Sequence, residues 1–170
     1  MTPRLPVLGL LALVLGLAGC AHYQLGTDAK LGFTTLYVEP VANKTLLPQA
    51  RAIVTTQLRE AFIHDARVTL VNSAAEADAT LSVTITDYHR EMTAAREDDT
   101  GLARKFALTL GTTCTLRDNR HDQVLFAKRS VAVTRDAFTD SGQLQAEYQM
   151  LPILAEALAQ KISHTVLDVW

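Results

Sequence analysis

One short motif near the start of the chain points to covalent chemistry at a cysteine: Leu17-Ala18-Gly19-Cys20. Small residues before the cysteine let an extended chain enter a peptidase cleft, and the thiol can accept an acyl group. An apolar run of about fourteen residues, Leu5 to Ala18, leads into the motif, and Arg4 precedes the run. That length is typical of a secretory signal peptide and too short for a transmembrane helix. We therefore predict that residues 1–19 are a cleaved signal peptide and that Cys20 is lipidated.

The alternatives for this segment are an ordinary signal peptide with a chance cysteine, or a short buried helix. The order of basic residue, apolar run and small residues before Cys20 favours lipidation over both.

Lipidation would tie the mature chain to a membrane from its first residue. The predicted modification is an N-acyl chain and an S-diacylglycerol group on Cys20, with fatty acids such as palmitate. Several acyl chains hold a protein stably on a bilayer, whereas one does not. Ala21 follows the cysteine, and bacterial sorting associates aspartate there with retention in the inner membrane. We therefore predict a lipid-anchored protein on the periplasmic face of the outer membrane.

The charge and cysteine content exclude several classes of protein. Of 16 basic residues only Arg4 precedes Cys20, so 15 basic and 18 acidic residues remain in the mature chain, a formal charge of −3. A duplex nucleic-acid binder normally has a net basic face, so we expect no nucleic-acid partner. Once Cys20 is acylated only Cys114 remains, which excludes an intramolecular disulfide.

No set of side chains in the sequence resembles a catalytic or metal centre. The five histidines do not pair at helical spacing and none joins a cysteine–histidine cluster. The chain has no glycine-rich phosphate loop, no G-x-S-x-G turn and no H-E-x-x-H motif. Asp98 and Asp99 lie in a polar stretch typical of a solvated loop, and Cys114 alternates with apolar residues like a small buried hydrophobe. We expect neither enzymatic activity nor a metal or cofactor other than the lipid.

One basic group could bind a ligand. The group flanks residues 91–103 and comprises Arg90, Arg96, Arg104 and Lys105. Pairing of the flanking strands would bring Arg90 towards Arg104 and Lys105. Such cations suit a ligand with several anionic groups, such as a phosphorylated lipid sugar, because arginine binds phosphate bidentately.

The competing interpretation of this basic group is a solvated hairpin of mixed charge. Four carboxylates in the same stretch favour it: Glu91, Glu97, Asp98 and Asp99. A second basic group surrounds the next turn, is expected at the opposite end of the sheet and meets the same objection. Its members are Arg117, Arg120, Lys128 and Arg129.

Hydrophobic periodicity predicts the elements that position these residues. Alternation with period two, together with β-branched residues, predicts strands over residues 33–39, 68–71, 80–88, 104–116 and 123–134. Helical spacing predicts a helix over 49–64, with Val54, Leu58, Ala61 and Phe62 on its apolar face and Ile53 and Ile63 widening it. A second helical stripe lies in about 143–168 and comprises Leu151, Leu154, Ala155, Leu158, Ile162, Val166 and Val169.

These elements predict an α+β fold. We expect a two-layer sandwich in which a mixed, mostly antiparallel sheet of four to five strands carries two helices on one face. The expected organisation is a signal peptide over residues 1–19, the lipidated cysteine and tether over 20–32, and a single domain over 33–170. Pro152 either occupies the first turn of a helix that begins near Leu151 or kinks a longer one, and we favour the first arrangement.

The order of several short segments resembles the LptE-like lipopolysaccharide-assembly lipoproteins over nearly the whole mature chain. The post-cysteine segment is similar to the family's G-Y-x-L, except that His22 stands where glycine is usual. The segments that match are Cys20-Ala-His-Tyr-Gln-Leu25, Leu36-Tyr-Val-Glu-Pro-Val-Ala-Asn-Lys-Thr45 with Pro48, Ala77-Asp78-Ala79-Thr80-Leu81, Thr84-Ile-Thr-Asp-Tyr88, Leu116-Arg117-Asp118 and a closing amphipathic helix that ends at Trp170.

The resemblance implies a non-catalytic role. Members of this family associate with and plug a large outer-membrane β-barrel, the LptD-like component of the lipopolysaccharide translocon. They support assembly of the barrel and lipopolysaccharide insertion, and they are thought to contact lipopolysaccharide.

Two other functions remain as alternatives. One is a lipoprotein regulator or activator of a periplasmic cell-wall synthase, which a long tether would favour. Here about a dozen residues separate Cys20 from the first strand, roughly 40 Å when fully extended, which favours work at the membrane surface. The other is a lipid-anchored hydrolase, for which the sequence offers no catalytic residues.

Overall fold

The computed structural model of the chain describes residues 31–95, 103–138 and 143–168, which form a six-stranded sheet and two helices. The strands are β1 (Thr35–Val38), β2 (Ala42–Asn43), β3 (Thr69–Leu70), β4 (Ala79–Ala95), β5 (Ala103–Asp118) and β6 (Gln123–Phe138). The helices are α1 (Ala50–Ile63) and α2 (Gln143–Leu167), and a 3-10 turn covers Ala74–Glu76. The predicted cleavage site and lipidated Cys20 lie outside the described residues.

The sheet is mixed, with strand order β3-β1-β4-β5-β6. The three long strands β4, β5 and β6 pair antiparallel, whereas β1 runs parallel to both β3 and β4. The predicted α+β fold is confirmed. The sequence predicted four to five strands, and the structure adds a sixth, the two-residue strand β2. Pro40 ends β1, and the chain resumes pairing with β4 for the two residues of β2, opposite Thr84 and Ile85.

Alternation along β4 and β5 places one side of the sheet in the core. Leu81, Val83 and Ile85 of β4 are at most 2% exposed. On β5 the predicted apolar side chains are all fully buried: Phe106, Leu108, Leu110, Cys114 and Leu116. Thr112, which interrupts this series, is buried too and donates a hydrogen bond to the Val131 carbonyl at 3.0 Å. The strands therefore present a continuous apolar surface to the helices.

The two helices cover that surface. Helix α1 buries Ala50, Val54, Leu58 and Phe62, while Ile63, predicted to widen its apolar face, is 63% exposed because it ends the helix. The predicted stripe of α2 is buried from Leu151 to Val166, and Val169 lies outside the described residues.

The prediction that the last helix begins near Leu151 is wrong. Helix α2 begins at Gln143 and continues through Pro152. Proline cannot donate to the carbonyl four residues earlier, here that of Tyr148. Both residues are exposed, so water can reach the peptide group that loses its helical bond. Packing of the first turns against the sheet, including buried Ala146, offsets the lost bond.

Strand β6 forms one edge of the sheet and is 16 residues long. A shallow groove of about 570 Å³ separates it from α2. Lys161 of α2 reaches across and donates to the Ala132 carbonyl at 2.9 Å. The bond occupies a carbonyl of the edge strand that a strand of another chain could otherwise use for pairing. Lys161 therefore hinders aggregation at this edge.

The point where the chain enters the domain is fixed by one carboxylate. Asp78 accepts hydrogen bonds from the backbone N–H of Thr34 at 2.8 Å and of Thr35 at 3.0 Å, and from the Thr34 hydroxyl at 2.9 Å. The Asp78 N–H donates to the Thr35 hydroxyl at 2.8 Å. These donors favour the ionised form and lower the pKa of Asp78 from 3.8 to about 2. Asp78 thus joins the start of β1 to the start of β4.

We expect Asp78→Ala to lower the free energy of unfolding by about 1–3 kcal/mol at neutral pH, because three donors lose their acceptor. The pKa of Asp78 is lower in the folded state, so its stabilisation is complete above about pH 4 and is lost as the pH falls towards 2. The difference between the two proteins, measured by urea unfolding with circular dichroism, should shrink over that interval. The matched control Asp136→Ala removes an exposed ion pair and should cost less than about 1 kcal/mol. An equal loss in the free energy of unfolding for both variants would contradict the role of Asp78 in joining β1 to β4.

Candidate functional site

The face of the sheet opposite the helices is a polar surface, which we call the open face. Hydroxyl side chains from the three long strands line its middle, and the pairs His89–Asp87 and Lys105–Asp136 lie on it nearer the β4–β5 hairpin. The hydroxyl-bearing residues are Ser82, Thr84, Thr109, Thr113, Thr115, Ser130 and Thr134. The Thr109 and Thr134 hydroxyls bond to each other at 2.9 Å, and the Thr115 hydroxyl accepts the Lys128 N–H at 3.1 Å. Within the described part of the chain the hydroxyls of Thr113 and Ser130 have no such partner, so they can bond to a second molecule.

A β-bulge at Thr86 changes which residues of β4 reach the open face. Ile85 lies opposite Thr112 and Asp87 opposite Gly111, so two steps along β4 match one step along β5. Before the bulge the odd-numbered residues of β4 face the helices, and after it the even-numbered ones do. The side chains of Tyr88 and Arg90 therefore point towards α2.

Arg90 is one of the residues that the bulge redirects. It lies opposite buried Leu108, and its guanidinium donates to the Glu147 carboxylate of α2. The guanidinium carbon also lies 5.9 Å from the centre of the Phe106 ring. The Tyr88 hydroxyl lies 3.4 Å from the same carboxylate. Burial, followed by the charge of Glu147, raises the pKa of Tyr88 to about 12.

The Lys105 side chain lies on the open face, on the opposite side of the sheet from Arg90. It pairs opposite Ala94 and forms an ion pair with Asp136 of β6 at 2.7 Å, and its Nζ lies 5.9 Å from the centre of the Phe138 ring. Arg90 and Lys105 are therefore at the same end of the sheet but not opposite each other in the ladder. Arg96 and the side chain of Arg104 lie outside the described residues. Ligand binding by these four residues stays a prediction.

The end of the sheet that carries Lys105 also exposes large apolar side chains. Met92 on β4 is 54% exposed and Phe138 on β6 is 58% exposed. We call this region, with Arg90 and Lys105, the hairpin end. Exposed apolar side chains beside cations suit an amphiphilic ligand with anionic groups. Sequence periodicity did not single out Met92 and Phe138, because each continues a strand beyond the predicted boundary.

The second basic group lies at the opposite end of the sheet, as predicted, and makes contacts within the protein. Arg117 pairs with Asp122, and Arg120 pairs with Asp118 at 3.2 Å. The Arg129 guanidinium lies 4.3 Å from the centre of the Phe126 ring. Hydrogen bonds from His121 and Arg120 lower the pKa of Asp118 well below its usual range. These contacts stabilise the turn between β5 and β6.

Cys114 is buried, as its alternation with apolar residues predicted. Its side chain is fully inaccessible, and burial raises the pKa of the thiol to about 11. Across residues 31–95, 103–138 and 143–168, no group of three or more histidine, cysteine or acidic side chains is placed to hold a metal ion. No helix in those ranges is long and apolar enough to cross a membrane.

We expect Cys114 in a Cys20→Ser chain to resist alkylation at pH 8, since the folded protein excludes the reagent and disfavours the thiolate. Mass spectrometry after iodoacetamide treatment should show modification only after urea unfolding. Rapid labelling of the folded protein would contradict the placement of this side chain in the core.

Comparison with known proteins gives one family and a shared fold. A family model described as LptE, lipopolysaccharide-assembly, matches residues 33–165. No curated protein matches the sequence significantly.

Several solved structures share the fold at low identity. An uncharacterised lipoprotein B of Nitrosomonas europaea is 17% identical with a TM-score of 0.54, covering 85% of this chain and 87% of the other. A minor lipoprotein of Acinetobacter baumannii is 19% identical with a TM-score of 0.52, covering 80% and 92%. A Xanthomonas campestris protein is 13% identical with a TM-score of 0.60, covering 84% and 89%.

Proposed function

The chain belongs to the LptE family of lipopolysaccharide-assembly lipoproteins, and from this membership we propose that it plugs an outer-membrane β-barrel of the LptD type. In this proposal Cys20 carries the lipid and holds the protein on the periplasmic face of the outer membrane. The domain enters the barrel, supports its assembly and assists lipopolysaccharide insertion. The family is non-enzymatic, and the proposed role needs no catalytic residue.

The open face is the observation that carries the plug proposal. Barrel lumens are polar, and hydroxyl groups can donate to and accept from lumen side chains without introducing charge. Strands β5 and β6 contain 16 residues each, which corresponds to roughly 50 Å of extended chain. The apolar band of an outer-membrane barrel is about 25 Å tall. The open face is therefore longer than the apolar band of such a barrel is tall.

We expect Thr109→Arg with Thr113→Arg to reduce co-isolation of an outer-membrane barrel at least roughly tenfold, because two added cations lose hydration at a packed polar interface. The measurement is affinity isolation of the lipidated protein from detergent-solubilised outer membranes. The control Thr56→Arg with Gln160→Arg adds the same charge to the exposed surfaces of α1 and α2 and should leave recovery unchanged.

Two results would contradict the plug proposal. One is recovery of the wild-type protein only as a free monomer. The other is equal recovery of the barrel with the open-face variant and the control. Isolation of a cell-wall synthase in place of a barrel would favour the alternative function.

The hairpin end is the proposed contact for lipopolysaccharide. Lys105 lies beside exposed Phe138 on the open face, whereas Arg90 and exposed Met92 lie on the opposite side of the sheet at the same end. A lipid with phosphorylated sugars presents both kinds of group together, so Lys105 and Phe138 can contact its headgroup and the start of its acyl chains. In this proposal Arg96 and Arg104 act with the two described cations.

We expect Arg96→Glu with Arg104→Glu and Lys105→Glu to weaken lipopolysaccharide binding roughly tenfold or more, because anionic phosphates lose three cations. Arg90 stays unchanged in this variant, since its contact with Glu147 joins β4 to α2. Binding is measured by fluorescence with labelled lipopolysaccharide, and circular dichroism checks that the variant is folded. The control Arg51→Glu with Arg59→Glu changes charge on α1. Binding that is unchanged in the triple variant would remove this site while leaving the plug proposal in place.

A further inference from the structure

The end of the domain opposite the hairpin end carries two adjacent exposed apolar side chains. Val124 is 47% exposed and Leu125 is 37% exposed, both at the start of β6. Leu125 is the extra residue of a second bulge, because Leu116 lies opposite Phe126 and Arg117 opposite Val124. We call Val124 and Leu125 the turn patch.

The turn patch lies at the end of the domain where the chain arrives from Cys20. The Arg120 guanidinium donates to the Gly32 carbonyl, and the Asn119 N–H donates to the Asp78 carbonyl at 2.7 Å. The Asp78 carboxylate holds Thr34, as described above. The turn and the entry of the chain are thus bonded to each other, and Val124 follows this turn within a few residues.

The short connection to Cys20 limits how far this end can move from a membrane. Ten residues separate Cys20 from Leu31, and a fully extended chain covers at most roughly 3.5 Å per residue. A lipid on Cys20 would therefore keep Leu31, where the chain enters this end of the domain, within about 40 Å of the bilayer surface. At such separations the effective concentration is high enough to populate contacts that are weak in free solution.

The charges around the turn patch favour an apolar contact over an ionic one. Arg117 is paired with Asp122, and Arg120 is paired with Asp118. Lys128 and Arg129 add two cations at this end and Asp78 adds one carboxylate, so the surroundings of the patch carry only a small net positive charge. Half-exposed valine and leucine side chains without a strong surrounding field fit the interfacial region of a phospholipid bilayer.

We propose that, before the domain joins a barrel, the turn patch rests in the phospholipid surface to which Cys20 is anchored. The inference rests on the lipid anchor of the proposed function and adds a second contact beside it. The contact orients the free domain with the hairpin end directed away from the bilayer, roughly 50 Å along the long strands. The hairpin end and the open face then remain accessible for capture of a barrel.

The test uses residues 20–170 coupled through the Cys20 thiol to a maleimide phospholipid in phosphatidylcholine vesicles with brominated acyl chains. Replacement of the single native tryptophan, Trp170→Phe, removes the tryptophan fluorescence of the native chain. Gln123→Trp places a reporter beside the turn patch without altering it, and Met92→Trp places a matched reporter at the hairpin end. Bromine quenches only a tryptophan that reaches the acyl region.

The proposal predicts several-fold stronger quenching of the tryptophan at position 123 than of that at position 92. Val124→Ser with Leu125→Ser should reduce quenching at position 123 to the level at position 92, whereas Met92→Ser with Phe138→Ser should leave it unchanged. Added salt should have no effect, because the contact is apolar. Equal quenching at both positions, quenching that survives the serine pair, or quenching that requires anionic lipid and disappears in salt would each overturn the proposal.

This experiment contains no barrel protein, so its failure and the failure of the proposed function are distinguishable. A negative vesicle result leaves co-isolation with a barrel intact. Conversely, absence of lipid on Cys20 in cells removes the proposed anchor whatever the chemically coupled chain does on vesicles.

Discussion

The alternation of apolar and hydroxyl-bearing residues along three long antiparallel strands is the constraint on which the rest of the molecule depends. Because successive side chains of a strand point to opposite sides, the alternation creates one apolar face and one polar face. The apolar face requires a cover, which α1 and α2 provide. The polar face requires none, and it remains available over the length of the strands. The core and the candidate binding surface are thus two consequences of one pattern.

Much of the fold follows from that pattern, but interruptions of it do not. Periodicity predicted the α+β class, the helix whose apolar face includes Val54 and Leu58, and the buried position of Cys114. The bulge at Thr86 was not, because one inserted residue reverses the assignment of faces beyond it without changing composition. Arg90 therefore faces α2 and Glu147 instead of the open face. Extension of α2 through Pro152 depends on tertiary packing, which local propensity does not contain.

Several residues that carried the family resemblance have structural roles. The Asn43 side-chain oxygen accepts the Thr45 N–H at 2.9 Å, and its amide donates to the Leu47 carbonyl at 2.8 Å, which shapes the turn before α1. Asp78 fixes the entry of the chain, and Asp118 accepts bonds from the following turn. These bonds give the shared residues structural roles, and the proposed functions are assigned to the surfaces that the turns position.

Contact between the open face and the wall of a barrel can be tested directly in cells by site-specific photo-crosslinking. A photoreactive amino acid replaces Thr113 on the open face in one strain and Thr56 on exposed α1 in another. If the open face lies against the barrel wall, irradiation should yield an adduct with an LptD-type barrel protein that is several-fold more abundant from position 113 than from position 56. An adduct with the barrel only from position 56, or none from position 113 when the protein is correctly lipidated, would contradict it.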